Sequence, residues 1–214
     1  MSNFLILNSS IIVKKPMLGF DNIKIEYGSN RINSYIEGFN SLKDLNIYDY
    51  FDKVLIIDNT IKNKKKFPHS VKRLIPENAD FIVSSKNLYG RINKGAGMVE
   101  ALQKNIHNFE KSQKIFYFEP RLILKNINLC KNFIQDNKNY FSYESKERVK
   151  TGYFGTLTKD FVEFINQCSV HNIIDKNLHI ELLMYEFYKN KKTMFLNSEI
   201  SLWKNYISEV YENY

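Results

Sequence analysis

The chain has 214 residues, 43% of them hydrophobic, and a formal net charge of +8. That apolar fraction excludes a disordered polymer, and no run approaches the roughly 20 apolar residues of a membrane span, so one soluble domain over 1–214 is expected. Cys130 and Cys168 show no metal-ligand spacing and are too few for a disulfide scaffold, which fits a reduced, cytoplasmic setting. The first ten residues have neither a basic leader nor a long apolar core, so no export signal is expected. The positive charge is diffuse and suits anionic ligands in general; its one dense cluster, Lys62, Lys64, Lys65 and Lys66, reads as a solvated loop.

In chain order, residues 3 to 7 and Ile11–Val13 are strand-like, but Pro16 and Gly19 interrupt them, so an N-terminal edge strand or turn is predicted. Ile23–Tyr27 alternates as a strand. Gly28, Ser29, Asn30 and Arg31 make the turn after it, capping a helix whose buried face is Ile32, Tyr35, Ile36, Phe39, Leu42 and Leu45. Lys53–Ile57 is a continuous apolar run, as in a strand buried on both faces, and it ends in Asp58 and Asn59. Ala79–Ser85 is the next strand, followed by a loop with Gly90, Arg91, Lys94, Gly95 and Gly97. Met98, Ala101, Leu102, Ile106 and Phe109 then recur at helical spacing before the strand Lys114–Phe118 and the sequence Glu119-Pro120-Arg121.

Two β-α-β units in tandem predict an α/β protein with a mostly parallel, Rossmann-like sheet flanked by helices. Residues 53–57 and 114–118 are expected to lie side by side in it, with their following loops at one edge. Beyond Pro120, a helix is predicted over 123–134, an edge strand over 140–144, a β-prone segment over 149–158, a helix from Thr158, a second over 175–189, and a short strand over 193–196. Residues 201–214 are expected to form an amphipathic helix.

The loop chemistry points to an anion. Lys94 and Gly95 open a helix, so unpaired amides, the helix dipole and an ammonium face one point suited to a phosphorylated ligand. Arg91 and Arg121 add charge, although Arg121 is equally placed to pair with Glu119. Asp58 sits where a parallel strand opens into the crevice and suits a nucleobase or ribose; an Asx turn made by Asp58, Asn59 and Thr60 is the alternative.

In motif order over residues 23 to 200, these segments resemble the nucleotide-diphospho-sugar glycosyltransferases of the GT-A fold. Asn93-Lys94-Gly95-Ala96-Gly97 is similar to the loop before that superfamily's helix, Phe116–Glu119 stands at its metal strand, Thr151–Gly155 at its acceptor segment, and His179–Leu183 at the helix that brings an acidic pair. The resemblance implies a nucleotide-binding half over 1–120 and an acceptor half over 121–200. It implies donor contacts from Gly28, Ser29, Asn30, Arg31, Asp58, Asn59, Arg91, Lys94, Gly95 and Arg121, and acceptor contacts from Thr151 and Gly152. Glu181 is the expected general base, with His179 and then Asp175 behind it.

The superfamily's D-x-D motif is replaced by Phe118-Glu119-Pro120-Arg121, so Glu119 is the lone candidate ligand for Mg2+ or Mn2+. Metal-free transfer, an unusual metal site and an inactive relative all stay open. The implied activity is sugar transfer from a nucleotide-sugar donor to a bacterial surface polysaccharide, such as capsule or lipopolysaccharide, or to a glycolipid acceptor at the inner-membrane surface. A sugar-phosphate nucleotidyltransferase, whose phosphate loop Gly28-Ser29-Asn30-Arg31 resembles without its second glycine, and a non-catalytic or basic nucleic-acid-binding protein are the alternatives. No DNA- or RNA-binding motif favours the last, so no nucleic-acid partner is expected.

Overall fold

The strand at the heart of the molecule is the N-terminal one. The computed structural model describes residues 2–12, 28–84 and 87–196, with 28–30 as backbone. Leu5, Ile6 and Leu7 are fully buried. Each contributes about 1.5–3 kcal/mol by leaving water, which a strand covered on both faces requires.

Chain order gives β1 (Asn3–Ser9), α1 (Gly28–Asp44), β2 (Lys53–Asp58), α2 (His69–Lys72), β3 (Asp80–Val83), α3 (Lys94–Gln103) and β4 (Lys114–Phe118). Then come α4 (Asn128–Gln135), β5 (Asn139–Ser145), β6 (Arg148–Leu157), α5 (Thr158–Gln167), α6 (Val170–Asp175), α7 (Ile180–Tyr188) and β7 (Thr193–Leu196). The sheet order is β3-β2-β1-β4-β6-β5-β7. The first four strands are mutually parallel; β6 runs antiparallel to β4 and to β5, and β7 is parallel to β5.

Strand alternation divides the core into two layers. Leu5, Leu7, Val54, Ile56, Phe116 and Phe118 face α1 and α4 through Tyr35, Phe39 and Phe133. Ile6, Leu55, Ile57, Ile115 and Tyr117 face α3, α5 and α7 through Val99, Phe161 and Met184. Among the described residues no helix is long and apolar enough to cross a membrane.

Several sequence expectations are corrected. β1 is central, not an edge, and it separates β2 from β4, which are parallel but not neighbours. Phe4–Leu7 is the same kind of unbroken apolar run that marks β2 as doubly covered. Gly28–Arg31 is not a turn but the first turn of α1. The helix expected over 123–134 begins only at Asn128, and β5 is an interior strand between β6 and β7. The helix expected over 175–189 begins only at Ile180, and Asp175 instead closes a separate helix, α6. Between the two lies Asn177, whose φ of 48° is left-handed; Asn is the non-glycine residue that tolerates this conformation best. The strand expected over Ile23–Tyr27 and the amphipathic tail over 201–214 lie outside the described residues.

Candidate functional site

The carboxyl ends of β1, β2 and β4 open on one edge of the sheet, and the polar residues following them meet there. β4 is followed directly by Glu119, whose amide donates to the Gly152 carbonyl of β6 at 2.8 Å, so the strand end is locked to its neighbour. Arg121 folds back on Glu119: its Nε donates to Oε1 at 2.9 Å, and a second guanidinium nitrogen pairs with the same oxygen. The Lys94 ammonium lies 3.9 Å from that oxygen, with its side chain 72% exposed against 22% for Glu119. Burial works to raise the Glu119 pKa, but Arg121, Lys94 and Arg31 outweigh it and hold the carboxyl at about 2.

Arg31 comes from the first turn of α1. It is buried, its Nε donates to the Ser10 carbonyl at 2.6 Å, and its guanidinium lies 5.8 Å from the centre of the Tyr35 ring. Burial lowers its pKa; Tyr35, Glu119 and Asp58 oppose that shift while Arg121 adds to it, so all of these groups share one field. An arginine so placed stays charged. Three cations therefore face one carboxylate at this edge.

The α3 start is built as expected. Asn93 caps it by accepting from the Ala96 amide at 3.1 Å, which leaves the Lys94 and Gly95 amides without an intrahelical acceptor. Gly95 is required by packing: a Cβ there would come within 2.9 Å of the Ile180 Cβ. That approach sets the N-terminus of α3 beside the N-terminus of α7 and brings Glu181 into the field of Lys94. Thr151 Oγ1 donates to Glu181 Oε1 at a long 3.5 Å, so the predicted acceptor and base positions are adjacent.

Other predicted positions are placed differently. Asp58 is buried and fully engaged within the fold: Oδ2 accepts from Ser9 Oγ at 2.7 Å and the Ile11 amide at 3.0 Å, and Oδ1 from the Thr60 amide and hydroxyl at 2.7 Å each. Asn59 accepts from Ser10 Oγ at 2.9 Å. These two residues knit the β1 and β2 loops together, as the Asx-turn alternative requires. Arg91 is exposed in the turn before α3, and His179 is exposed at the α7 N-cap position with no capping hydrogen bond. Asp175 is exposed at the end of α6, and no described contact joins it to Glu119 or Glu181. Gly28 opens α1, and the side chains of Ser29 and Asn30 lie outside those described.

Glu144 on β5 escaped the sequence reading. Its carboxyl is pushed up by partial burial and then by Glu181, with Arg148, Lys150 and His179 opposing, which places a second carboxylate in the field of Glu181. The only sequence signal was the polar end of an aromatic strand. Asn8-Ser9-Ser10, the polar close of the buried β1 run, was likewise legible as a strand entering the crevice. A cavity of about 150 Å³ lies between the ends of β2 and β3 and α3, bordered by Asp58, Ser84 and Lys104; the Glu119 cluster does not line it.

The D-x-D comparison raises the question of a divalent ion. Hard cations take six or more oxygen ligands; in nucleotide sites Mg2+ draws one or two carboxylates from the protein and the rest from waters and substrate phosphates, so the protein carboxylate must be open to the ion. Here one carboxylate oxygen is already held by Arg121 and Lys94, and among the described residues no group of three His, Cys, Asp or Glu side chains converges. The described residues do not fit a divalent cation at Glu119.

No family model matches the chain, and no curated protein matches it in sequence. Solved structures do. A protein assigned as a nucleotide-diphospho-sugar transferase from Desulfovibrio desulfuricans G20 superposes with a TM-score of 0.57 at 10% identity, over 92% of this chain and 80% of that one. The galactosyltransferase LgtC, in complex with donor and acceptor sugar analogues, gives 0.55 at 11% identity over 91% of this chain and 73% of its own. A protein assigned as a glucose-1-phosphate thymidylyltransferase from Bacillus anthracis gives 0.55 at 12% identity over 99% and 93%. The chain has the GT-A-like fold of the nucleotide-diphospho-sugar transferases.

Proposed function

We propose that this protein transfers a sugar from a nucleotide-sugar donor to a hydroxyl of a glycan or glycolipid acceptor at a bacterial surface-polysaccharide assembly site. The observation carrying this reading is the meeting of Arg31, Lys94 and Arg121 at the carboxyl edge of the parallel strands, beside the α3 amides. Cleaving the bond between the anomeric carbon and the diphosphate leaves the electron pair on the phosphate oxygen, and these cations stabilise the charge that develops there. The acceptor oxygen forms the new bond to the anomeric carbon, and its proton passes to Glu181, which stands beside Thr151. Calorimetric titration with UDP, GDP, CDP and CMP sugars tests the reading: one of them should bind, and the binder should release its nucleotide when a glycan acceptor is added. Binding of none of them would sink it.

A second reading, sugar-phosphate nucleotidyl transfer, is favoured by the near-complete overlap with the thymidylyltransferase-like structure. Against it, Gly28–Arg31, which stood for a phosphate loop, is helical. Pyrophosphate release from a nucleoside triphosphate and a sugar 1-phosphate would decide for it.

A further inference from the structure

The misfit between Glu119 and a divalent ion has a constructive explanation. A metal site gathers carboxylates and repels cations, whereas this strand end gathers cations around a single carboxylate oxygen. The pairing is specific: both Arg121 nitrogens and the Lys94 ammonium converge on Oε1. A phosphate oxygen is likewise an anionic acceptor for guanidinium and ammonium donors.

We infer that Glu119 is an internal stand-in for a donor phosphate: it holds Arg121 and Lys94 in place in the free protein, and these two cations bind the donor diphosphate directly, without a divalent ion. The inference rests on the nucleotide-sugar reading above and specifies how that donor is held. Three features support the arrangement. Lys94 is mostly exposed and reaches Glu119 only at the limit of ion-pair distance, so it is able to turn to an incoming phosphate. Arg31 is buried and anchored to the Ser10 carbonyl, so it supplies fixed positive potential behind the pair. The Lys94 and Gly95 amides, which have no intrahelical acceptor, are further donors at the start of the helix that carries Lys94.

The two roles for Glu119 give opposite signs on substitution. A metal ligand changed to its amide loses metal-supported binding. A stand-in anion changed to its amide removes a competitor for the cations and strengthens diphosphate binding, by about 3- to 10-fold for one nearby charge.

The test is calorimetric titration of the intact chain and of E119Q with UDP, GDP, CDP and dTDP, first in EDTA and then in Mn2+. Support is binding of one nucleotide in EDTA, a change of less than about threefold on adding Mn2+, and tighter binding by E119Q. A tenfold or greater gain from Mn2+, or unchanged or weaker binding by E119Q, overturns the inference while leaving the donor reading intact. Failure of all four nucleotides under both conditions overturns the donor reading, and this inference with it. Circular dichroism checks that E119Q is folded. If it is not, R121A decides: a loss of about tenfold or more in EDTA supports direct phosphate contact, and unchanged affinity overturns it.

Discussion

Replacing Gly38 with alanine tests the packing that sets the site. Gly38 lies inside α1, and helix propensity alone makes alanine about 1 kcal/mol better than glycine there. The structure opposes this. A Cβ at position 38 would stand 1.9 Å from the Pro120 carbonyl oxygen and 2.7 Å from the Leu122 carbonyl oxygen. Both are backbone atoms of the turn that carries Arg121, immediately after the strand end that carries Glu119, so no side-chain rotation relieves the clash. Either α1 or the turn must move by more than an ångström, and overpacking of this kind costs about 1–3 kcal/mol or more. Sterics therefore outweigh propensity, and G38A should be less stable than the parent by about 2 kcal/mol. Urea unfolding followed by circular dichroism measures it, and nucleotide affinity should fall with it as Arg121 shifts. A G38A protein as stable as the parent, or more so, would refute the close approach of α1 to the β4 turn.

Further outcomes follow from the same geometry. Glu119 has a folded pKa of about 2 against an ordinary 4.5, so its ionised form stabilises the fold by up to about 3 kcal/mol. That contribution is complete above pH 4.5 and is lost as pH falls toward 2; urea midpoints at pH 5 and pH 3 should differ more in the parent than in E119Q. Asp58→Ala strips acceptors from Ser9, Ile11 and Thr60 at once and should cost about 3 kcal/mol in urea unfolding; a D58A protein of parental stability with weakened nucleotide binding would instead make Asp58 a donor contact. The buried Lys114 ammonium donates to the Phe133, Ile134 and Asp136 carbonyls that end α4, so Lys114→Met should cost about 2 kcal/mol by leaving them unpaired, read as a lower thermal midpoint.

What the chain disclosed before folding follows a physical divide. Periodicity and punctuation gave β2, β4, β6 and the start of α3 correctly, because burial on one face or two is written into each segment's own residues; α3 itself ends at Gln103, short of the Ile106 and Phe109 that continue its spacing. Sheet position is not local. Phe4–Leu7 carries the signal of a doubly covered strand, but only its pairing with both β2 and β4 reveals that it is central. Left-handed Asn177 delays to Ile180 a helix expected from Asp175, because a left-handed residue leaves the apolar spacing around it untouched. In the candidate site, the Arg121–Glu119 pair spans two residues and was legible as an alternative. The Arg31–Ser10 bond and the Gly95–Ile180 approach join distant segments and were not.

The most direct measurement is a crystal structure of the protein soaked with a nucleoside diphosphate that binds in solution. Its diphosphate is expected within hydrogen-bond reach of both Lys94 and Arg121, with Glu119 released from at least one of them. A diphosphate lodged instead in the cavity between Asp58 and Lys104, or elsewhere with the Glu119 pairing untouched, would contradict the placement of the donor at this edge.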